Sequence, residues 1–105
     1  MTIFMFLSCK SVNKVQKLEH RIFLYHVGVV ENFRNNGYID DDSSLKRSYE
    51  FLEDLTSIKG DVEQQYVFFY NPSSKNIKDW KKWFKKNKSK LYWDEKKQIV
   101  LCHNY

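Results

Sequence analysis

Eight lysines between positions 75 and 90, less the single acid Asp79, leave that stretch a local charge of +7 and the clearest chemistry in the chain. A dense row of ammonium groups attracts anions such as lipid headgroups, phosphodiester backbones or acidic proteins. Lys78, Lys81, Lys82, Lys85 and Lys86 are the residues expected to touch an anionic surface. The type of base narrows the choice. Of 18 basic residues 15 are Lys, in a chain of net charge +5. Arg, not Lys, makes the bidentate fork that reads phosphates and bases, so nucleic acid is the least favoured partner. The plainest alternative is a solvated face whose reverse side packs into a core. A genome rich in A and T would also raise Lys, Asn, Ile and Tyr together.

The other reactive side chains do not assemble into a catalyst. His20, His26 and His103 have no ligand-like spacing, and a helix would turn the first two to different faces. Cys102 closes the apolar run 99–102, the setting of a buried small hydrophobe rather than a nucleophile. Adjacent strand residues point to opposite faces, which separates Cys102 from His103. No CxxC pair, G-x-S-x-G elbow or glycine-rich phosphate loop occurs. Asp40, Asp41 and Asp42 lack the alternation, internal Gly and closing Glu of a calcium loop, and read as charge at a helix start. The expectation is no enzyme, no catalytic residue, no metal and no cofactor.

Near the N-terminus, Ile3-Phe4-Met5-Phe6-Leu7-Ser8-Cys9-Lys10 is an apolar run that turns polar at its Cys. This pattern resembles the lipobox of bacterial lipoproteins, with Ser8 as the small residue before the Cys and Phe6 where Leu is usual. The resemblance implies lipid attachment at Cys9, a signal segment over 1–8 and a tether over 9–17. It further implies a protein held at the periplasmic side of a bacterial membrane, with no acidic run after Cys9 of the kind that favours the outer surface. A signal peptide needs a basic region before roughly 7–15 apolar residues. No Lys or Arg precedes Ile3, so the expectation is a truncated signal whose true start lies upstream of Met1. Competing readings are a buried N-terminal strand or helix turn and a Cys9–Cys102 disulfide. No other run approaches the ~20 apolar residues of a membrane span.

These groups must be positioned by one small domain over 18–105. A domain of this size leaves a thin stability margin, which eight Phe, seven Tyr and three Trp offset by the area each ring removes from water. A helix is expected over 18–35, with Leu18, Ile22, Tyr25, Val29 and Phe33 as its stripe and Phe23, Leu24, Val27 and Val30 widening it. Gly28 there marks a close helix contact, and Asn35-Asn36-Gly37 stops the helix. A second helix over 44–57 carries Leu45, Tyr49, Leu52 and Leu55 inward and ends at Lys59-Gly60. Residues 61–72 read as irregular, with a short strand at 67–70 before Asn71-Pro72. Ser73-Ser74 caps a third helix over 74–87, in which Ile77, Trp80, Trp83 and Phe84 face the core and Asn87 forms the C-cap. Two strands around a four-residue turn make a C-terminal β-hairpin that docks through Tyr92 and Trp93.

Tyr49 through Thr56, Asn71-Pro72, Trp80-Lys81-Lys82-Trp83-Phe84-Lys85-Lys86-Asn87-Lys88 and Leu91-Tyr92-Trp93-Asp94 together resemble two things. One is small uncharacterised lipoproteins of Bacteroidetes-like bacteria. The other is the last unit of bacterial HEAT-like helical repeats, where a helix ending Leu-Thr-Gly precedes one carrying Trp-x-x-Trp and Asn. Here Ser57 replaces that Gly. The resemblance implies a mainly α fold, a small three-helix domain with a HEAT-like helix pair and a short C-terminal β-hairpin. Its core anchors are Trp80, Trp83, Phe84 and Trp93. Such units are scaffolds, so the implied function is a non-enzymatic binding or structural module with an unknown protein partner. The alternative is a soluble cytoplasmic interaction protein, immunity-type or nucleic-acid-binding, that uses the Lys-rich helix over 75–90.

Overall fold

A computed structural model describes residues 16–37, 42–64 and 66–104. The signal segment 1–8, Cys9, most of the tether and the acids Asp40 and Asp41 lie outside the described residues. The fold is mainly α. Helices α1 (Leu18–Asn36), α2 (Asp42–Thr56) and α3 (Ser74–Asn87) pack together, with α1 against both others. Two antiparallel pairs accompany them: β1 (Val62–Gln64) with β2 (Phe68–Tyr70), and β3 (Leu91–Asp94) with β4 (Ile99–Cys102). The core joins Phe23, Val27 and Val30 of α1 to Leu45, Tyr49 and Leu52 of α2 and Ile77 and Trp80 of α3.

Helix α1 is rotated from its expected setting. The stripe through Leu18 and Tyr25 leaves those residues 41% and 62% exposed, while Phe23, Val27 and Val30 are buried. Two neighbouring apolar stripes satisfy the same 3.6-residue period, and contact with α2 and α3 selected one. The buried Phe23 ring stacks on Phe84 and Trp83 at 4.9 and 5.7 Å and meets Phe51 edge-on at 6.1 Å. Gly37 ends the helix in the left-handed region (φ 64°) and returns its N–H to Phe33 O at 2.7 Å. Gly28 is not a packing glycine, since a Cβ there meets nothing within 4 Å. Gly28→Ala should therefore stabilise the protein by about 1 kcal/mol, through lower unfolded-state entropy and better helix propensity. A urea melt with an unshifted or lowered midpoint would contradict this.

The other helix ends are specified locally. Ser73 and Asn76 form a reciprocal capping box on α3, in which Ser73 Oγ accepts from Asn76 N and Asn76 Oδ1 accepts from Ser73 N. The buried Asn76 Oδ1 also accepts from Asp61 N at 2.8 Å, tying the start of the first hairpin to α3. Asn87 is no left-handed cap. It sits at φ −113°, and the chain runs on into a 3₁₀ turn (Lys88–Lys90) while Asn87 Nδ2 donates to Trp83 O. Helix α2 ends three residues before Lys59, where Ser57 takes the left-handed conformation (φ 64°). Thr56 holds that end by donating to Leu52 O and accepting from Ile58 N.

The expected irregular stretch is a hairpin, with Val62 paired to Tyr70, Glu63 to Phe69 and Gln64 to Phe68. Asn71 N–H donates to Asp61 O and closes its base. In the C-terminal hairpin the turn is set by Asp94, whose Oδ1 accepts from the N–H of Lys96 and Lys97, and by Gln98 at φ 57°. This hairpin docks through Leu91 and Val100, which are buried, rather than through Tyr92 and Trp93. Trp93 is half-buried and donates to Glu95 Oε2, and Tyr92 stacks on His103 at 4.2 Å. Trp93 shares their face, opposite Val100, but stays half-buried with its indole N–H on Glu95, whereas Tyr92 lies on the other face beside Leu101; Leu91 and Val100 carry no polar atom needing a partner.

Candidate functional site

Helix α3 divides cleanly into two faces. Trp80 is fully buried and donates its indole N–H to Ile58 O at 3.1 Å; Ile77 is buried beside it. Trp83 and Phe84 are half-buried and pack on Phe23. Lys78, Lys81, Lys82, Lys85 and Lys86 all stand exposed on the remaining arc. Lys81 is partly neutralised by Glu31 of α1, at 3.0 Å. Lys75 bonds Asp79 within its own helix at 2.7 Å, an interaction that raises its pKa. Lys78, Lys82, Lys85 and Lys86 make no ion pair among the described residues, and Lys85 and Lys86 complement the negative end of the helix. Lys88 follows, its ammonium 6.0 Å from the Phe84 ring centroid. Lys78 and Lys81 also border a shallow groove with Arg34 and Glu31, so basic groups of α1 and α3 meet there.

The histidines are dispersed into structural roles. His20 bonds Lys88 O at 2.9 Å and stands edge-on to Phe84, joining the start of α1 to the end of α3. His103 lies at the far hairpin. His26 stacks on Phe51 at 4.3 Å and shares a 2.9 Å hydrogen bond with Ser48, which is itself buried. Burial, aided by the positive charge of Arg47, lowers its pKa from 6.5 to about 4. The unfolded chain takes up this proton near pH 6.5, whereas the folded protein resists it down to about pH 4. Stability therefore falls as pH drops through that window. The shift amounts to about 2 kcal/mol after allowing for solvent at the ring's open edge. His26→Gln should flatten the fall in urea midpoint between about pH 7 and about pH 5. An unchanged slope in the variant would assign the effect to other groups.

No group of three or more metal-binding side chains occurs among the described residues. Cys102 is half-buried and bonded to no other cysteine among the described residues; its expected alternative partner, Cys9, lies outside them. No described helix is long and apolar enough to cross a membrane.

One surface was not legible in the sequence. The β1–β2 hairpin leaves Tyr66 100%, Phe68 47% and Phe69 53% exposed, with Val67 beside them. Phe68, Phe69 and Tyr70 flank an apolar groove of about 360 Å³ whose other wall is Phe33, Leu45 and Lys46. The run Tyr66-Val67-Phe68-Phe69-Tyr70 carried the signal, because five uncharged β-formers in a chain this polar are unusual. Compared with protein-family models, curated proteins and solved structures, the chain matches none.

Proposed function

We propose that this protein is a non-enzymatic module which lies against an anionic membrane surface through the lysine face of α3. In this reading a lipid on Cys9 supplies the first attachment, at the periplasmic side of a bacterial membrane, and α2 with α3 forms a HEAT-like helix pair that serves as scaffold. The observation that carries the proposal is the division of α3. Its apolar side is committed to the core through Trp80, while Lys78, Lys82, Lys85 and Lys86 remain open to solvent on one continuous arc. Each such lysine contributes about 1 kcal/mol near anionic headgroups, adding to the attachment that a lipid on Cys9 supplies and holding α3 against the surface. Base stacking finds less support, because Trp83 and Phe84 already stack on Phe23.

Sedimentation with vesicles tests the basic face. Neutral phosphatidylcholine vesicles should bind the unlipidated protein poorly, and vesicles with phosphatidylglycerol should bind it in a salt-sensitive way. The variant Lys82→Glu/Lys85→Glu/Lys86→Glu should lose on the order of 100-fold in partitioning. Equal partitioning of variant and parent would remove the proposal. Labelling with a palmitate analogue in a bacterial host, abolished by Cys9→Ala, tests the anchor separately.

The second reading is a soluble cytoplasmic interaction protein of the immunity type. The exposed aromatic hairpin favours it, since apolar surface of that kind fits a protein partner better than headgroups.

A further inference from the structure

We infer that the protein pairs with a second copy of itself through the open edge of β2, joining two hairpins into one four-stranded antiparallel sheet. The argument starts from the backbone. Asn71 N–H donates to Asp61 O, and Glu63 faces Phe69 two residues further along the same ladder. Hydrogen-bonded and non-hydrogen-bonded pairs alternate in an antiparallel ladder, so Phe69 directs its N–H and C=O at β1. Phe68 and Tyr70 must then direct theirs away from β1. The sheet has only these two strands, and the outward groups meet no partner among the described residues.

A two-fold axis through Phe69 satisfies all four groups at once. It sets Phe68 opposite Tyr70 of the second copy and Tyr70 opposite its Phe68, and both are outward-facing residues as a hydrogen-bonded pair requires. Phe69 falls opposite its own counterpart as the closer, non-hydrogen-bonded pair. Another ladder position would leave part of the edge open. The chemistry selects a copy of this chain over a charged partner, because Tyr66 to Tyr70 carries no charge to complement and none to repel itself. It also lacks the lysine, proline or bulge that usually blunts an edge strand. The size fits a modest association. The exposed parts of Tyr66, Val67, Phe68 and Phe69 amount to roughly 500 Å² on each copy, so a dimer buries at most about 1,000 Å², at the small end of specific interfaces. The groove between β2 and the α1–α2 walls leaves room for side chains of the incoming strand.

Sedimentation velocity on the full chain, from about 10 µM to about 1 mM, tests this. The expected result is a reversible monomer–dimer equilibrium within that range. Phe69→Lys sets two like charges across the axis, while within one copy the new lysine faces Glu63, so the fold should survive. Phe68→Pro removes an outward N–H and the half-exposed ring beside it while leaving the Glu63–Phe69 pairing to β1 in place. Each should weaken association at least tenfold with circular dichroism unchanged. A parent protein that stays monomeric throughout would overturn the inference, as would a dimer indifferent to both variants. Monomeric protein that binds neutral vesicles through Phe69 would also overturn it, by assigning the patch to lipid.

Discussion

Gly60→Ala should unfold this protein some 10–20 °C earlier than the parent chain, an outsized effect for one methyl group. A Cβ at Gly60 falls 2.6 Å from Tyr49 Cε2 and 2.9 Å from Trp80 Cη2. Both rings are fully buried and cannot swing aside cheaply. Tyr49 donates its hydroxyl to Asp61 O at 2.8 Å, and burial raises its pKa so that the donor proton stays in place. Trp80 is held by Ile58 O. The backbone at Gly60 is also tied, its N–H donating to Glu53 Oε2 at 2.8 Å. Either a ring leaves its hydrogen bond or the loop lifts off the core. Overpacking of this kind costs about 2–3 kcal/mol, which gives the stated shift in a domain of this size. A thermal melt within a few degrees of the parent would show that the Gly60 loop yields, and that the tight contact does not constrain the fold.

Trp80→Ala should cost more, about 4 kcal/mol, enough to leave a marginal domain largely unfolded at physiological temperature. Three losses combine: the buried indole area, a cavity at the meeting point of all three helices, and the donor for Ile58 O. The edge-to-face contact with Tyr49, at 5.8 Å between centroids, goes as well. Trp80→Phe separates these losses, because it keeps much of the ring and removes the N–H. Its expected cost is about 2 kcal/mol. Phenylalanine also lacks Cη2, the indole atom crowding Gly60. The double variant Gly60→Ala/Trp80→Phe should therefore be less destabilised than the two single effects added together. Strict additivity in urea unfolding would mean that Gly60 and Trp80 do not share the space the geometry assigns them.

The two predictions fall at opposite ends of what the sequence revealed, Trp80 being legible as a core residue and Gly60 not. Gly60 was legible only as the stop of a helix that in fact ends at Thr56. Its role depends on two rings, from positions 49 and 80, that converge on it only in the folded chain. Helix α3 was legible in detail, because one amphipathic pattern, one Asn-Pro break and one Ser cap agree with each other there. Helix α1 was legible as a helix but not in its rotation, since Phe23-Val27-Val30 and Leu18-Ile22-Tyr25 are both apolar at helical spacing. Of the β1–β2 hairpin the second strand was legible over 67–70, whereas β1 escaped because a three-residue strand carries too little alternation to distinguish it from a loop.

What the chain determines by itself is local: where helices begin and break, which face of α3 is basic, and that Trp80 must be buried. Those properties depend on residues within a turn or two of one another, so short-range sterics and periodicity suffice. Tertiary structure alone decided which stripe of α1 faces inward, which hairpin residues dock, that His26 stays neutral against Phe51 and Ser48, and that, among the described residues, an aromatic strand edge has no neighbouring strand. Each of these follows from competition between distant surfaces for the same contacts. Burial free energy belongs to the pair that meets, and neither partner's sequence contains it alone.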